Sequence, residues 1–310
     1  MMVLQYLLKR GWHIFIGAGL FILIRESLTY LSYLVHSFWQ DIRWYLWVRR
    51  TSTPLVTTTI FNMQMQLHRN DKGISRELAI YHVHEPLGTQ LLEKFVEEGM
   101  VVVDVGANIG YYALMESKLV GQKGQVIAIE AMLENTDMLN INLRLNNVQN
   151  VTVINAAISD SDGKGTLYLS ERSNWPSLKQ MPWHSSTGAR EIDTWKLDTL
   201  LEQLKVPAHL VQMDVEGFEI EAFAGMTETL RKYKPRLVVE MHTPLVGRQP
   251  IIDLLQVLKT FGYNVRFIVD RAKDFPWNKS GHGIKSMNID RLLISPGPIG
   301  AEKIFTVFLE

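Results

Sequence analysis

Cysteine is absent from this chain of 310 residues. That excludes disulfides, thiolate metal centres and a cysteine nucleophile, while leaving the compartment open. An excess of charge of one sign is missing as well. Lys and Arg number 32, Asp and Glu number 32, so the overall basic footprint of a nucleic-acid binder is not there. The chain has no internal repeat and no low-complexity tract. It also lacks an uninterrupted apolar run of about 20 residues, the length a membrane-crossing helix needs. Gly11 to Ile24 is mostly apolar but spans only 14 residues, between Lys9-Arg10 and Arg25-Glu26. No small-x-small cleavage site follows it, as a secretory signal would require.

Hydrophobic residues make up 46% of the chain, enough for one large domain or two ordinary ones. Residues 1–50 carry 6 Lys/Arg against 2 acids. Leu28, Leu31, Leu34, Val35, Phe38, Trp39, Ile42 and Leu46 recur at helical spacing and mark an amphipathic helix. Trp12, Tyr30, Tyr33, Trp44, Tyr45 and Trp47 add rings of the kind that sit at membrane interfaces. The expectation is a membrane-associated segment over residues 1–50, monotopic or a short tilted span, drawn to anionic lipid. The rest of the chain is then expected on the cytoplasmic side. The competing reading is a helical extension packed on the domain or on a second subunit.

Residues 51–98 read as a strand and helix lead-in. Phe61, Met63, Met65 and Leu67 alternate with polar residues and predict a half-buried strand, and residues 75–98 look helical. From residue 99 onward strands and helices alternate. Apolar strands are predicted at 100–105, 125–130, 151–155, 209–214, 236–242, 264–269 and 290–295, with helices at 109–120, 133–146, 194–204, 217–232 and 249–261. That alternation predicts an α/β, Rossmann-like domain: a mostly parallel sheet covered on both faces. The last two strands, lacking a helix between them, predict an antiparallel strand at the sheet edge.

Val101-Val-Val-Asp104 ends a buried strand, and Gly106-Ala-Asn108-Ile-Gly110 turns into a helix. Open parallel sheets bind ligands at such strand ends. A dinucleotide fingerprint wants Gly-x-Gly-x-x-Gly. Here Asn108 occupies the middle position, which disfavours a nicotinamide-dependent dehydrogenase. S-adenosylmethionine has no pyrophosphate to cradle, and Asp104 is expected to face its ammonium group. The next strand, Val126-Ile-Ala-Ile129, ends in Glu130, placed to accept hydrogen bonds from ribose hydroxyls.

Together with Asp104–Tyr112 and Ala128-Ile-Glu130, the chain carries Asn146, Ala156-Ala-Ile-Ser-Asp160 with Gly163, Leu197-Asp-Thr-Leu200, and Met213-Asp-Val-Glu-Gly217 with Glu219. This set resembles the FkbM family of methyltransferases over roughly residues 60–295. Gly73-Ile-Ser, Tyr81 and Glu85-Pro86 resemble that family's lead-in. Two positions depart from its pattern: Ala131 stands where Pro often follows Glu130, and Gln212 stands where Lys is common. The resemblance implies a class I methyltransferase fold, S-adenosylmethionine as cofactor and methylation of oxygen, often on sugars. It implies that Asp104, Gly106, Asn108 and Gly110 line the methionine end and that Glu130 holds the ribose. Ala157 and Asp160 would lie near the adenine, and Asp214 beside the sulfonium.

A hydroxyl nucleophile must lose its proton, which favours a nearby general base. His242 is the first candidate because imidazole titrates near working pH; Glu240 and Asp214 follow. Glu216, two residues beyond Asp214, and the indoles of Trp175 and Trp183 in the long polar segment 170–190 are candidate acceptor contacts. Segment 271–288, with Lys273, Lys279 and Lys285, is a second candidate wall. His82 and His84 are two apart on an expected helix or turn, which does not favour shared metal ligation, and no metal site is expected. The expected reaction is O-methylation of a sugar, glycan or glycolipid. The alternatives are a lipid or small hydrophobic hydroxyl acceptor, and a cofactor-binding protein without catalysis.

Overall fold

A computed structural model of the chain describes residues 31, 35, 38–50, 53–71, 73–170, 175–179, 187–276, 283–294, 299 and 303–310. Residues 1–52 and 53–310 form two compact units. In the first, residues 38–50 are helical (α1). Phe38, Trp39, Tyr45 and Leu46 of this helix are exposed, and Trp44 stacks on Trp47. Among the described residues, no helix is long and apolar enough to cross a membrane. The apolar run at 11–24 lies outside them.

The second unit opens with a hairpin, β1 (Leu55–Ile60) and β2 (Met63–His68). The single strand expected around Phe61 is broken there, because Phe61 and Asn62 both take positive φ and make the turn. Met65 and Leu67 do face the core, as their alternation predicts. The helix expected over 75–98 is two helices, α2 (Ile74–Tyr81) and α3 (Pro86–Phe95). His82 closes α2 in a left-handed conformation, and Pro86 starts α3, where its missing N–H costs nothing.

Then follow β3 (Val101–Val105), α4 (Tyr111–Val120), β4 (Gln125–Glu130), α5 (Leu133–Leu145) and β5 (Val151–Asn155). Next come β6 (Ala157–Ile158), β7 (Gly163–Leu169), β8 (Gly188–Trp195), α6 (Leu197–Leu204) and β9 (Leu210–Met213). The chain continues through α7 (Glu219–Ala224), α8 (Thr227–Tyr233), β10 (Arg236–His242), α9 (Thr243–Val246) and α10 (Arg248–Thr260). It ends with β11 (Val265–Asp270), β12 (Ile284–Ser286), α11 (Ile289–Ile294) and β13 (Ile304–Leu309).

The main sheet has eight strands in the order β12-β11-β13-β10-β9-β3-β4-β5. β10, β9, β3, β4 and β5 are mutually parallel. Their near-continuous apolar runs are what burial on both faces demands. Of residues 290–295, expected as the last strand, 290–294 are helical instead and 295 lies outside the described residues. The last strand is β13, which runs antiparallel between β10 and β11, while the short β12 is the antiparallel edge. The strand order reverses between β3 and β9, so the ligand-binding crevice is expected at their carboxyl ends.

One face of the sheet packs on α6, α7, α8, α10 and α11. The other packs on α3, α4 and α5 and on the β1–β2 hairpin. Residues 55–96, within the segment read as a lead-in, therefore share the core of the alternating part. Several resemblance residues are braces. Asn146 exchanges hydrogen bonds with the backbone of Gln64. Asp198 accepts the Glu228 and Thr229 N–H groups at the start of α8.

Candidate active site

β3 delivers the chain into Gly106 with φ +90°. A Cβ there would overlap the Asp214 carbonyl oxygen of the neighbouring β9 loop, so the close approach of the two loops requires glycine. Gly110, φ +92°, starts α4 against Leu139. Asn108 is left-handed without being glycine, and its Oδ1 accepts the Ile109 N–H.

Glu130 ends β4 and grips this loop. Its Oε2 accepts the Asn108 N–H at 2.8 Å and its Oε1 accepts the Met132 N–H at 2.8 Å. Burial pushes its carboxyl up, against those two amide bonds. Oε2 retains acceptor capacity, so holding the loop and holding a ribose hydroxyl are compatible. Asp104 is 1% exposed, its Oδ2 has no hydrogen-bond partner, and it is in the lining of neither cavity described below. Burial, then Glu130, pushes its carboxyl up to about 7, and burial followed by Asp104 pushes Glu116 up. Asp160 is exposed, accepts from the Ser159 and Ser161 hydroxyls, and is in the lining of neither cavity described below.

Two cavities meet over Gly106, Asn108, Asp214 and Glu216. The smaller is walled by Glu130, Asn135 and Ala157, and by Pro176 and Ser177. Ser177 is tied into β7 through paired backbone bonds with Tyr168. Segment 170–190 thus does border the site, and Trp175 lines the larger cavity, while Trp183 lies outside the described residues. The larger cavity, about 560 Å³, is lined by Glu85, Tyr112, Asp214, Glu216, Glu240, His242 and Arg271, among others.

All three proposed bases therefore reach one cavity. His242 ends β10 at 2% exposure. Its Nδ1 is 2.6 Å from Glu219 Oε1, and its Nε2 is 3.2 Å from Glu216 Oε2 and 3.8 Å from Asp214 Oδ1. Burial alone would lower its pKa, but Glu216 and Glu219 outweigh that and hold it well above the usual value. The two neighbouring carboxylates thus favour the charged form of the imidazole. Burial, then Glu240 and Glu216, pushes Asp214 up, although 38% of its side chain is exposed. Burial and Glu85 push Glu240 up, with Arg271 opposing. A carboxylate with a raised pKa is the better base. No sequence spacing announces a metal site, yet Asp214, Glu240 and His242 offer ligand atoms within 4.8 Å of one another.

Several site residues carry no signal in the sequence beyond the lead-in. Glu85, with φ 43°, accepts from the Tyr112 hydroxyl at 2.9 Å and pairs with Arg271 at 2.8 Å. Burial would raise its pKa, but Arg271 and His84 draw it down. Arg271 also reaches Glu240 at 3.1 Å. Among the described residues, the cation that segment 271–288 brings to the site is therefore Arg271, while Lys273 and Lys285 do not line the larger cavity and Lys279 lies outside the described residues. His84 lies between Glu77 and Glu85, away from His82, which meets Thr58.

The pattern of the methyltransferase FkbM domain matches residues 104–265, more than half of the chain. The chain belongs to the FkbM methyltransferase family. It carries an S-adenosylmethionine-dependent methyltransferase domain. Among relatives of this FkbM domain is the hexuronic acid methyltransferase AglP of Haloferax volcanii, 31% identical over 168 residues, which are 53% of this chain and 66% of that protein. A protein-L-isoaspartate O-methyltransferase of Methanothrix thermoacetophila is 36% identical over 83 residues, 27% of this chain and 36% of its own length. The chain thus spans less than two thirds of either. A solved methyltransferase FkbM of Methylobacillus flagellatus aligns with a TM-score of 0.43 at 16% identity, covering 69% of this chain and 43% of that one. The glycine-only contact at Gly106 and the remaining acceptor capacity of Glu130 fit the cofactor.

Proposed function

We propose that the chain methylates a hydroxyl group of a sugar, glycan or glycolipid. The observation that carries this reading is the meeting of the two cavities over Gly106, Asn108, Asp214 and Glu216. One side has the ribose-type acid Glu130; the other has a cluster of proton acceptors. The relative named as a hexuronic acid methyltransferase supports a sugar acceptor, as does the indole of Trp175 in the larger cavity.

S-adenosylmethionine supplies a methyl group already activated on sulfonium, so the protein's task is mainly alignment. Gly106 and Asn108 leave room for it, and Glu130 holds its ribose. A carboxylate of the Asp214, Glu216 and Glu240 cluster accepts the hydroxyl proton. His242, held from behind by Glu219, stands beside Glu216 and Asp214. Arg271 keeps Glu85 ionised beside the acceptor.

Thermal shift with S-adenosylmethionine, its demethylated product and NAD tests the cofactor. At about 100 times its dissociation constant a ligand adds about 2.7 kcal/mol, and a response to NAD alone would overturn the reading. Radiolabelled methyl transfer to uronic acids, neutral sugars and lipid alcohols tests the acceptor. His242→Ala and Glu240→Gln should keep cofactor binding and lose turnover; full activity in both would sink the catalytic assignment. Incorporation only into lipid alcohols favours the lipid alternative, and cofactor binding with no transfer to any acceptor favours a non-catalytic role. The exposed Phe38, Trp39, Tyr45 and Leu46 support attachment of the N-terminal segment to a membrane surface. Phe38→Ser with Trp39→Ser should then reduce co-sedimentation with anionic vesicles, and unchanged co-sedimentation would argue against it.

A further inference from the structure

His242 enters the larger cavity with its tautomer fixed from behind. Nδ1 lies 2.6 Å from Glu219 Oε1, a carboxylate with 0% exposure that lines neither cavity. Nδ1 therefore carries the proton of that bond, and Nε2 is the atom presented to Asp214 and Glu216. A carboxylate behind and an imidazole nitrogen in front is the arrangement that orients histidine toward a metal ion.

The atoms facing Nε2 lack a counter-charge. Among the described residues, the ion pairs of Asp214, Glu216 and Glu219 are all with His242, so three carboxylates share at most one imidazolium. Asp214 Oδ1 is shut off from solvent and has no hydrogen-bond partner. Gln212, two residues earlier and 6% exposed, lines the same cavity with its Oε1 likewise unpartnered. Buried oxygen acceptors left without donors call for an explanation, and a bound ion supplies one. The ligand atoms of Asp214, Glu240 and His242 lie within 4.8 Å of one another. Two ligands on one ion at about 2.1–2.5 Å can be up to about 4–5 Å apart.

We infer that Asp214, Glu240 and His242 form a divalent-cation site, with Glu219 as its positioning residue, and that the cation's open positions take hydroxyl oxygens of the acceptor. Two carboxylate oxygens and one imidazole nitrogen suit an ion that accepts mixed ligation and higher coordination, such as Mn²⁺. The inference rests on the methyl-transfer reading for its role, though not for its ligands. The cation lowers the pKa of an acceptor hydroxyl, and its proton passes to Glu216. The oxygen then forms the new O–C bond, the methyl–sulfur bond breaks, and its electron pair returns to sulfur. The acceptor leaves as a methyl ether and Glu216 returns the proton to water.

The test is a titration of the chelator-treated full chain with Mn²⁺, followed by electron paramagnetic resonance of the free ion. Binding of S-adenosylmethionine is measured on the same samples by calorimetry. The expected result is one Mn²⁺ per chain, lost in Asp214→Asn and Glu240→Gln. Glu219→Gln should weaken Mn²⁺ about 10–100-fold, as second-layer partners of metal ligands do, while S-adenosylmethionine affinity stays unchanged. Failure to bind Mn²⁺ in protein that still binds S-adenosylmethionine would overturn the site and leave the proposed function standing. So would Mn²⁺ binding indifferent to all three substitutions. Mn²⁺ binding without S-adenosylmethionine binding would keep the site and overturn its role.

Discussion

Replacing Gly106 by alanine drives a methyl group into the Asp214 carbonyl and places a side chain at φ +90°. The backbone cost alone is about 1–3 kcal/mol, and the loops that flank both cavities must separate. Gly106→Ala should lower Tm measurably and abolish cofactor binding by calorimetry. Binding at the original affinity would show that the close approach is not needed. His84 makes a second prediction at this scale. Burial would lower its pKa, but Glu85 and Glu77 raise it well above 6.5. The folded state thus holds this proton more tightly than the unfolded chain does. Its stabilisation is complete below about pH 6.5 and disappears as pH rises through the raised folded value. Urea denaturation of the protein and of His84→Gln should diverge most in mildly acid buffer and converge as pH climbs. A constant difference across that range would remove His84 as the source.

Among elements, α3 depends on a residue 187 positions away in sequence. Asp274 is 0% exposed and accepts the Leu87 N–H at 2.7 Å and the Gly88 N–H at 2.9 Å. These are helix-end donors with no partner inside the helix. Asp274→Ala leaves both buried, at about 1–3 kcal/mol each, and should lower Tm without changing the cofactor's ligands. An unchanged Tm would contradict the role. That long-range cap is invisible in sequence, as is the placement of Arg271 between Glu85 and Glu240, because neither follows a local period. The β3–α4 turn and β4 were legible because their signals are local: a Val run, a glycine pair and a strand-end acid. The burial of Asp104 was not legible for a related reason. Motif position fixes the strand end, but only packing against α4 decides that the carboxylate turns inward beside Glu116. Residues 290–295 read as a strand from their apolar content alone. In the structure Asn264 Oδ1 accepts the Ile289 N–H, at the start of α11.

On the scale of the whole molecule, the parallel sheet and its reversal at β3 and β9 follow from the alternation of strands and helices. Insertion of β13 between β10 and β11 does not, because its pairing partners lie about 40 to 70 residues away. Residues 55–96, within the segment read as a strand and helix lead-in, form one wall of the core and, through Glu85 and His84, of the site. The larger cavity draws its acids from the residue before α3, from the loop after β9 and from β10, so it forms only when the sheet is complete. The central claim is that this cavity and the smaller one share S-adenosylmethionine across Gly106. Calorimetric titration of the full chain with S-adenosylmethionine, beside Gly106→Ala and Glu130→Ala, tests it most directly. The account predicts saturable one-to-one binding that is lost in the first variant and weakened in the second. No binding by the unaltered chain, or equal binding by all three, would contradict it.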